Sequence, residues 1–164
     1  MNSELDGKIV LVTGGAGGIG SVISESFAEQ GAKVIVHYKH SKEKAEIIAK
    51  KIKGVAIYAD LTDSEQTKEL FDDIIDKEGK IDICIANAGK YPKDYAPLWE
   101  IGIERWNNTI STNLSLTYNT SRYFLKHVAE TKKGSLVLIG STAGIYGEAG
   151  HADYAAAKGA ITSG

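Results

Sequence analysis

The sequence predicts an α/β domain built on a doubly wound, parallel sheet, and three observations carry that expectation. Short runs that are almost wholly apolar recur along the chain, as strands buried on both faces of a parallel sheet do. Segments of helical length with one apolar stripe separate them. A glycine cluster, "TGGAGGIG" at 13–20, joins the first run to the first helical segment. A chain of 164 residues holds one such domain with a real core, so 1–164 is read as a single unit.

The strands are expected at "KIVLVT" (8–13), "KVIVHY" (33–38), "GVAIYA" (54–59), "IDICIA" (81–86) and "GSLVLIG" (134–140). Helices are expected near 18–30, 42–53, 64–78 and 103–130. The second carries Ala45, Ile48, Ala49 and Ile52 on one stripe, with lysines and glutamates opposite. The third opens with "TDSEQ", where Asp63 or Ser64 caps and Glu65 suits the first turn. Strand–helix alternation of this kind winds by right-handed crossovers. The loop "GKYPKDYAPLWE" (89–100) is long and aromatic, and it follows the fourth strand on the edge where such sheets take ligands.

Composition excludes several classes of function. Hydrophobic residues make up 43% and charged residues 24%, with a net charge of −2, so no basic field marks a nucleic-acid or membrane partner. The start, "MNSELDGKIV", lacks a charged-then-apolar leader, and no apolar run approaches the roughly 20 residues of a membrane span. The one cysteine, Cys84, lies inside an apolar run and reads as a small buried hydrophobe. A cytoplasmic location is the expectation.

The glycine loop points to a dinucleotide. Strand, glycines and helix in this order permit a tight turn and bring backbone N–H groups to a pyrophosphate at a helix N-terminus. Gly14, Gly18 and Gly20 fit one spacing, and Gly14, Gly17 and Gly20 fit another. An NAD site usually ends the second strand with a carboxylate for the ribose 2′-OH. Here that strand ends "VHYKHSKEK", with no carboxylate before Glu43. Lys39 is the candidate partner of a 2′-phosphate, supported by His40 and Ser41, so NADP is favoured and NAD left open.

Tyr154 and Lys158 stand four apart in "YAAAK", on one face of an alanine-rich helix. Tyr38 and Lys42 share the spacing, but Tyr38 belongs to the cofactor end of a strand. Reducing a carbonyl needs hydride on carbon and a proton on oxygen. A tyrosine hydroxyl, ordinarily near pKa 10, serves best beside a cation that favours its ionised form.

With "ADLTD" (59–63), "NAG" (87–89), Asn113 in "STNLS" and Ser141 in "GSTAG", the chain resembles the short-chain dehydrogenases/reductases over its whole length. The resemblance implies a Rossmann fold and a catalytic set of Asn113, Ser141, Tyr154 and Lys158. Ser141 would hold the substrate oxygen, and Asn113 a water relaying protons from Lys158. Cofactor contacts would come from Gly14, Gly18, Ile19, Gly20, Asp60 at the adenine, Leu61, Asn87, Ala88 and Gly89, together with Tyr154 and Lys158. Within the family the wording is similar to the 3-oxoacyl-carrier-protein reductases of fatty acid biosynthesis, which implies a carbonyl substrate borne on an acyl carrier protein. Sugar and alcohol dehydrogenases read much the same. A dinucleotide-binding regulator is the rival from another class, although such proteins usually lose the tyrosine or the lysine. Tyr91, Trp99, Tyr146 and His151 are candidate substrate contacts. The pattern runs out within the tyrosine-bearing helix, so the sequence is expected to lack a C-terminal portion that completes the sheet and the family's homotetramer.

Overall fold

In the computed structural model, which describes residues 4–164, five parallel strands form one sheet. Residues 1–3, where the N-terminal reading begins, lie outside the described residues. The elements run β1 (Ile9–Val12), α1 (Gly18–Glu29), β2 (Lys33–Tyr38), α2 (Lys42–Lys51), β3 (Val55–Tyr58), α3 (Ser64–Glu78), β4 (Ile83–Ala86), α4 (Ile103–Ile110), α5 (Leu116–Thr131), β5 (Ser135–Leu138), α6 (Ala143–Tyr146) and α7 (Ala152–Ser163). The strand order is β3-β2-β1-β4-β5, so successive crossovers reverse direction at β1. Val10 is in register with Val34 on one side and Ile83 on the other. This is the predicted doubly wound sheet.

Two apolar layers clamp it. On one side Leu11, Ile35, Phe71, Ile74, Cys84 and Phe124 pack beneath α3 and α5. On the other, Val10, Val12, Val34, Val36 and Ile85 meet Ala45 and Ala49 of α2, with Ile48 and Ile52 alongside. Side chains alternate between these layers along each central strand, as the pleat requires. Burial pushes the Cys84 thiol well above its usual range, so it stays protonated and inert.

Two expectations need correction, at β3 and at the helix over 103–130. β3 is an outer strand of the sheet, not one buried on both faces, and Val55 is exposed. β5 is the other outer strand, as expected of a sheet whose far edge this sequence does not complete, with Val137 and Leu138 exposed. The helix expected over 103–130 is interrupted, because a π turn at Ser111–Ser115 separates α4 from α5. Such an insertion rotates the downstream helix about its axis and is frequent beside functional sites. The turn α6 was not anticipated. Asp63, not Ser64, caps α3, accepting from the N–H groups of Glu65 and Gln66. Gly79, at φ 76°, ends that helix in the left-handed region.

Phe124 is fully buried where α5 crosses the sheet. Phe124→Ala is expected to cost about 3–5 kcal/mol in urea denaturation, whereas truncating exposed Leu125 on the same helix is expected to cost far less.

Candidate active site

Because the winding reverses at β1, a crevice opens at the carboxyl ends of β1 and β4. Thr13, the residue after β1, is fully buried and organises that crevice through one hydroxyl. Its Oγ1 donates to Ile85 O (3.2 Å) and accepts from the N–H groups of Asn87 and Ala88 (3.0 Å each). Asn87 returns the contact, its Nδ2 donating to Thr13 O (2.9 Å) and Gly14 O (3.3 Å).

The glycine loop is set against this frame. Gly14 takes φ +61°, a turn conformation that L side chains rarely adopt. Gly20 packs so closely that a Cβ there would lie 2.2 Å from Gly14 O, so the first helical turn can approach the strand only without a side chain. These two serve either glycine spacing. Gly17 is the N-cap residue, and its N–H closes the turn onto Gly14 O (2.9 Å), while a Cβ on Gly18 would face open space. The first bond of α1 runs from Ser21 N to Gly17 O, so the N–H groups of Gly18, Ile19 and Gly20 precede the helical ladder. They line a groove of about 540 Å³ together with His37–Ser41, Asp60–Thr62 and Asn87–Lys90.

His37 is the residue that sequence reasoning missed. It is almost fully buried, and its ring bridges three segments of the nucleotide side. Nδ1 accepts from Gly14 N (3.0 Å), so it must be bare, and Nε2 donates to Ala59 O (3.0 Å). Burial, opposed by the Ala59 contact and the charge of Asp60, brings its pKa down to about 4. The available signal was a polar side chain in an otherwise apolar strand, directly before the loop.

At the groove's far end Lys39 and Asp60 form an ion pair at 2.6 Å. Burial works against the Asp60 carboxylate, but hydrogen bonds from Lys39 and Thr62 outweigh it and hold its pKa below the usual range. Lys39 therefore lies where a 2′-phosphate partner was expected, but its ammonium is already engaged. Leu61 is buried, its carbonyl accepting from Asn119 Nδ2 (2.9 Å).

The proposed catalytic residues gather beyond Gly89. A Cβ on Gly89 would lie 2.9 Å from Asn113 Oδ1 and 3.7 Å from Lys158 Nζ, so this glycine of the groove abuts both. Asn113 sits in the π turn, fully buried. Its amide donates to Lys90 O (2.9 Å) and Thr109 O (3.0 Å), and its Oδ1 accepts from Lys90 N (3.2 Å). The side chain is thus spent on backbone groups, which leaves the expected water relay to its carbonyl, where Thr117 Oγ1 already donates (2.7 Å).

Lys158 is nearly buried, and its ammonium donates to Ile139 O (2.8 Å), in the segment after β5. Burial draws its pKa below the usual lysine value. The ammonium stands 5.9 Å from the Tyr154 ring centroid. Ser141 lies on the turn into α6, its Oγ accepting from Ala143 N (3.2 Å). Helix α6 holds that turn against α7, where Gly144 meets the Lys158 backbone so closely that a Cβ would lie 2.5 Å from its carbonyl carbon.

Further support was not legible in the sequence. Asp153, fully buried beside Tyr154, accepts from Arg105 Nε (3.0 Å), Arg105 Nη2 (3.2 Å) and Thr109 Oγ1 (2.8 Å). Arg105 also donates to Asp94 O and Gly150 O, tying the 89–100 loop and α4 to the start of α7. Desolvation opposes the Asp153 carboxylate, but these donors keep its pKa below the usual range. Of the expected substrate contacts, Tyr91 and His151 stack beside Tyr154. Trp99 and Tyr146 do not join them, being 85% and 84% exposed. The decoy Tyr38 ends β2, and Lys42 instead pairs with Glu46 (3.8 Å).

Crevice, glycine loop and Tyr–Lys helix together define a dinucleotide-type α/β domain in which Lys158 abuts the groove at Gly89. The family model for short chain dehydrogenases matches residues 8–163, and the chain belongs to that family. It is 35% identical over 163 residues to the 3-oxoacyl-[acyl-carrier-protein] reductase FabG of Thermotoga maritima, covering 96% of this chain and 65% of that protein. It is 36% identical over 166 residues to versicolorin reductase 1 of Aspergillus parasiticus (98% of this chain, 62% of that protein). Against hydroxynaphthalene reductase arp2 of Aspergillus fumigatus the figure is 35% over 162 residues (96% and 58%). The chain therefore spans about 58–65% of the length of these curated relatives.

The His37 geometry sets a pH dependence. The folded state resists protonating His37 until about pH 4, whereas the unfolded histidine titrates near 6.5. Between those values the unfolded state binds more protons, so stability falls as pH falls. The full effect is about 3 kcal/mol. Urea melts between pH 7 and 4 are expected to show this loss in the native chain and little of it in His37→Asn. Parallel pH curves for the two proteins would remove His37 as its source.

Proposed function

We propose that the protein is an NADPH-dependent reductase that converts a ketone to an alcohol, with a 3-oxoacyl thioester as the favoured substrate type. The observation that carries the proposal is Gly89, which lines the nucleotide groove and abuts both Asn113 and Lys158. The groove fits a dinucleotide on its own terms: open helix N–H groups, a loop that no Cβ can enter at Gly20, and Lys39 at the end of β2, which would exchange its Asp60 partner for a 2′-phosphate. Gly18, Ile19 and Gly20 would hold the pyrophosphate, and Asp60 and Leu61 the adenine. When bound, the cofactor supplies hydride to the carbonyl carbon.

Residues of the chain manage the oxygen. Ser141 Oγ donates a hydrogen bond to the carbonyl and fixes its orientation. Tyr154 transfers its hydroxyl proton to the same oxygen as negative charge develops there. Lys158, held by Ile139 O in a dry setting, favours the tyrosinate left behind. Arg105 and Asp153 keep the start of α7, and with it the Tyr154 hydroxyl, in place.

The fungal reductases, at the same identity as the FabG proteins, support a second reading in which the substrate is a ketone on an aromatic system. The aromatic wall of Tyr91 against Tyr154 favours it. In either reading the exposed apolar side chains of α4 and α5, Ile103, Tyr118 and Leu125, are the surface through which copies associate into the tetramer expected from the family.

Two measurements test the proposal. Tyr154→Phe is expected to lower NADPH consumption with acetoacetyl-CoA by at least 10³-fold, of the order of a lost general acid, while NADPH binding followed by fluorescence persists. Substantial turnover by the variant would sink the assignment. Tyr38→Asp puts a carboxylate at the end of β2, in the groove beside Lys39. It is expected to repel the 2′-phosphate and move preference toward NADH, and tighter NADH binding by the unaltered chain would defeat the NADP reading.

A further inference from the structure

The lysine at the far end of the nucleotide groove is already paired. Two lysines line the groove. Lys90 lies beside the catalytic residues, held by Asn113 through both its N–H and its C=O. Lys39 stands past the end of β2, and its ammonium meets Asp60 Oδ2 at 2.6 Å. Asp60 lines the groove as well, so the pair faces the space a nucleotide would enter. The two side chains are 35% and 23% exposed, which leaves the ammonium open to exchange.

The two partners are held very differently. Asp60 Oδ1 accepts from Thr62 N (3.0 Å) and Thr62 Oγ1 (2.7 Å), and the Asp60 N–H donates to Gln66 Oε1 (3.2 Å). Gln66 is tied in turn to Asp63, the cap of α3. The Thr62 donors favour the ionised carboxylate whether or not Lys39 is beside it. Lys39 hangs on a flexible stem, and Asp60 is its one side-chain partner among the described residues. The carboxylate is therefore fixed, and the ammonium is the member that moves.

A 2′-phosphate has the same sign as Asp60 and seeks the same ammonium. To take it, the phosphate must displace the carboxylate, which then faces the incoming anion without its counter-charge. A nucleotide with a bare 2′-hydroxyl makes no such demand. We propose that Asp60 sets nucleotide preference: it competes with a 2′-phosphate for Lys39 and so weakens NADPH relative to NADH. This rests on the dinucleotide reading of the groove and deepens it. Lys39 supplies the attraction, and Asp60 limits how much of it the phosphate receives. The adenine contact that the family resemblance implies for Asp60 is common to both nucleotides and cancels in the comparison.

Equilibrium titrations of the full chain with NADPH and with NADH, followed by nucleotide fluorescence without substrate, give the ratio of the two Kd values. Asp60→Asn removes the charge but keeps an oxygen for Thr62. It is expected to shift the ratio toward NADPH about threefold to fivefold, the scale of a partly exposed ion pair. In a Lys39→Met background the same change is expected to shift it by less than about twofold, since no ammonium is left to release. A ratio of Kd values does not depend on the amount of folded material, so a partly folded variant does not imitate the effect. An unchanged ratio in Asp60→Asn overturns the inference, and so does a shift toward NADH, which would mean that Asp60 orients Lys39 for the phosphate. Equal shifts with and without Lys39 overturn it too, because Asp60 would then repel the phosphate directly. A native chain that prefers NADH, shifted toward NADPH by Asp60→Asn, keeps the inference and rejects NADPH as the cofactor. A native preference for NADPH that Asp60→Asn leaves untouched keeps the cofactor and rejects the inference. No binding of either nucleotide rejects both.

Discussion

The reversal of winding at β1 is the constraint on which the rest depends. With β2 on one side of β1 and β4 on the other, the segments leaving their carboxyl ends must part, and the backbone at the gap loses its ladder partners. Side chains at the gap replace those partners. Thr13 serves Ile85, Asn87 and Ala88, Asn87 serves Thr13 and Gly14, and His37 joins Gly14 to Ala59. These bonds leave the N–H donors of the first turn of α1 facing the groove. The groove is thus anion-seeking.

The same dryness governs charge. His37 is kept neutral because burial disfavours the imidazolium, and a proton on Nδ1 would also face the N–H of Gly14. Asp153 remains ionised because Arg105 meets it with two nitrogens, the fork geometry that offsets desolvation best. Lys158 has only a carbonyl to lean on, and burial lowers its pKa accordingly. A cation held with so little compensation interacts strongly with any negative charge that forms beside it, a tyrosinate included.

Much of this was legible in the sequence. β2 and α3 have the expected limits, because β-branched runs and an Asp cap act locally. The helix over 103–130 was misjudged at its middle, since nothing local in "STNLS" distinguishes a π turn from an α turn and Asn113 adopts it through Lys90, 23 residues away. The exposure of β3 depends on its position in the sheet, which strand composition does not encode. His37 and the Arg105–Asp153 pair escaped for a related reason. Each joins segments far apart in sequence, whereas glycine spacing and Tyr-x-x-x-Lys are written within one turn.

The two halves of the site are held by separate sets of bonds. The nucleotide half stands on β1 and β2, whose Val10, Leu11, Val12, Val34 and Val36 are fully buried. The half that carries Ser141, Tyr154 and Lys158 stands on the segment after β5 and on α6 and α7, packed backbone to backbone through Gly144. Displacing the segment after β5 breaks the Lys158–Ile139 bond and moves Ser141 without disturbing Thr13, His37 or the glycine loop. Changes there can therefore shift Ser141 and Lys158 while the bonds of the groove stay in place. The reverse does not hold, because Gly89 and Asn113 join the catalytic residues to the crevice, and a collapse of the crevice would carry them with it.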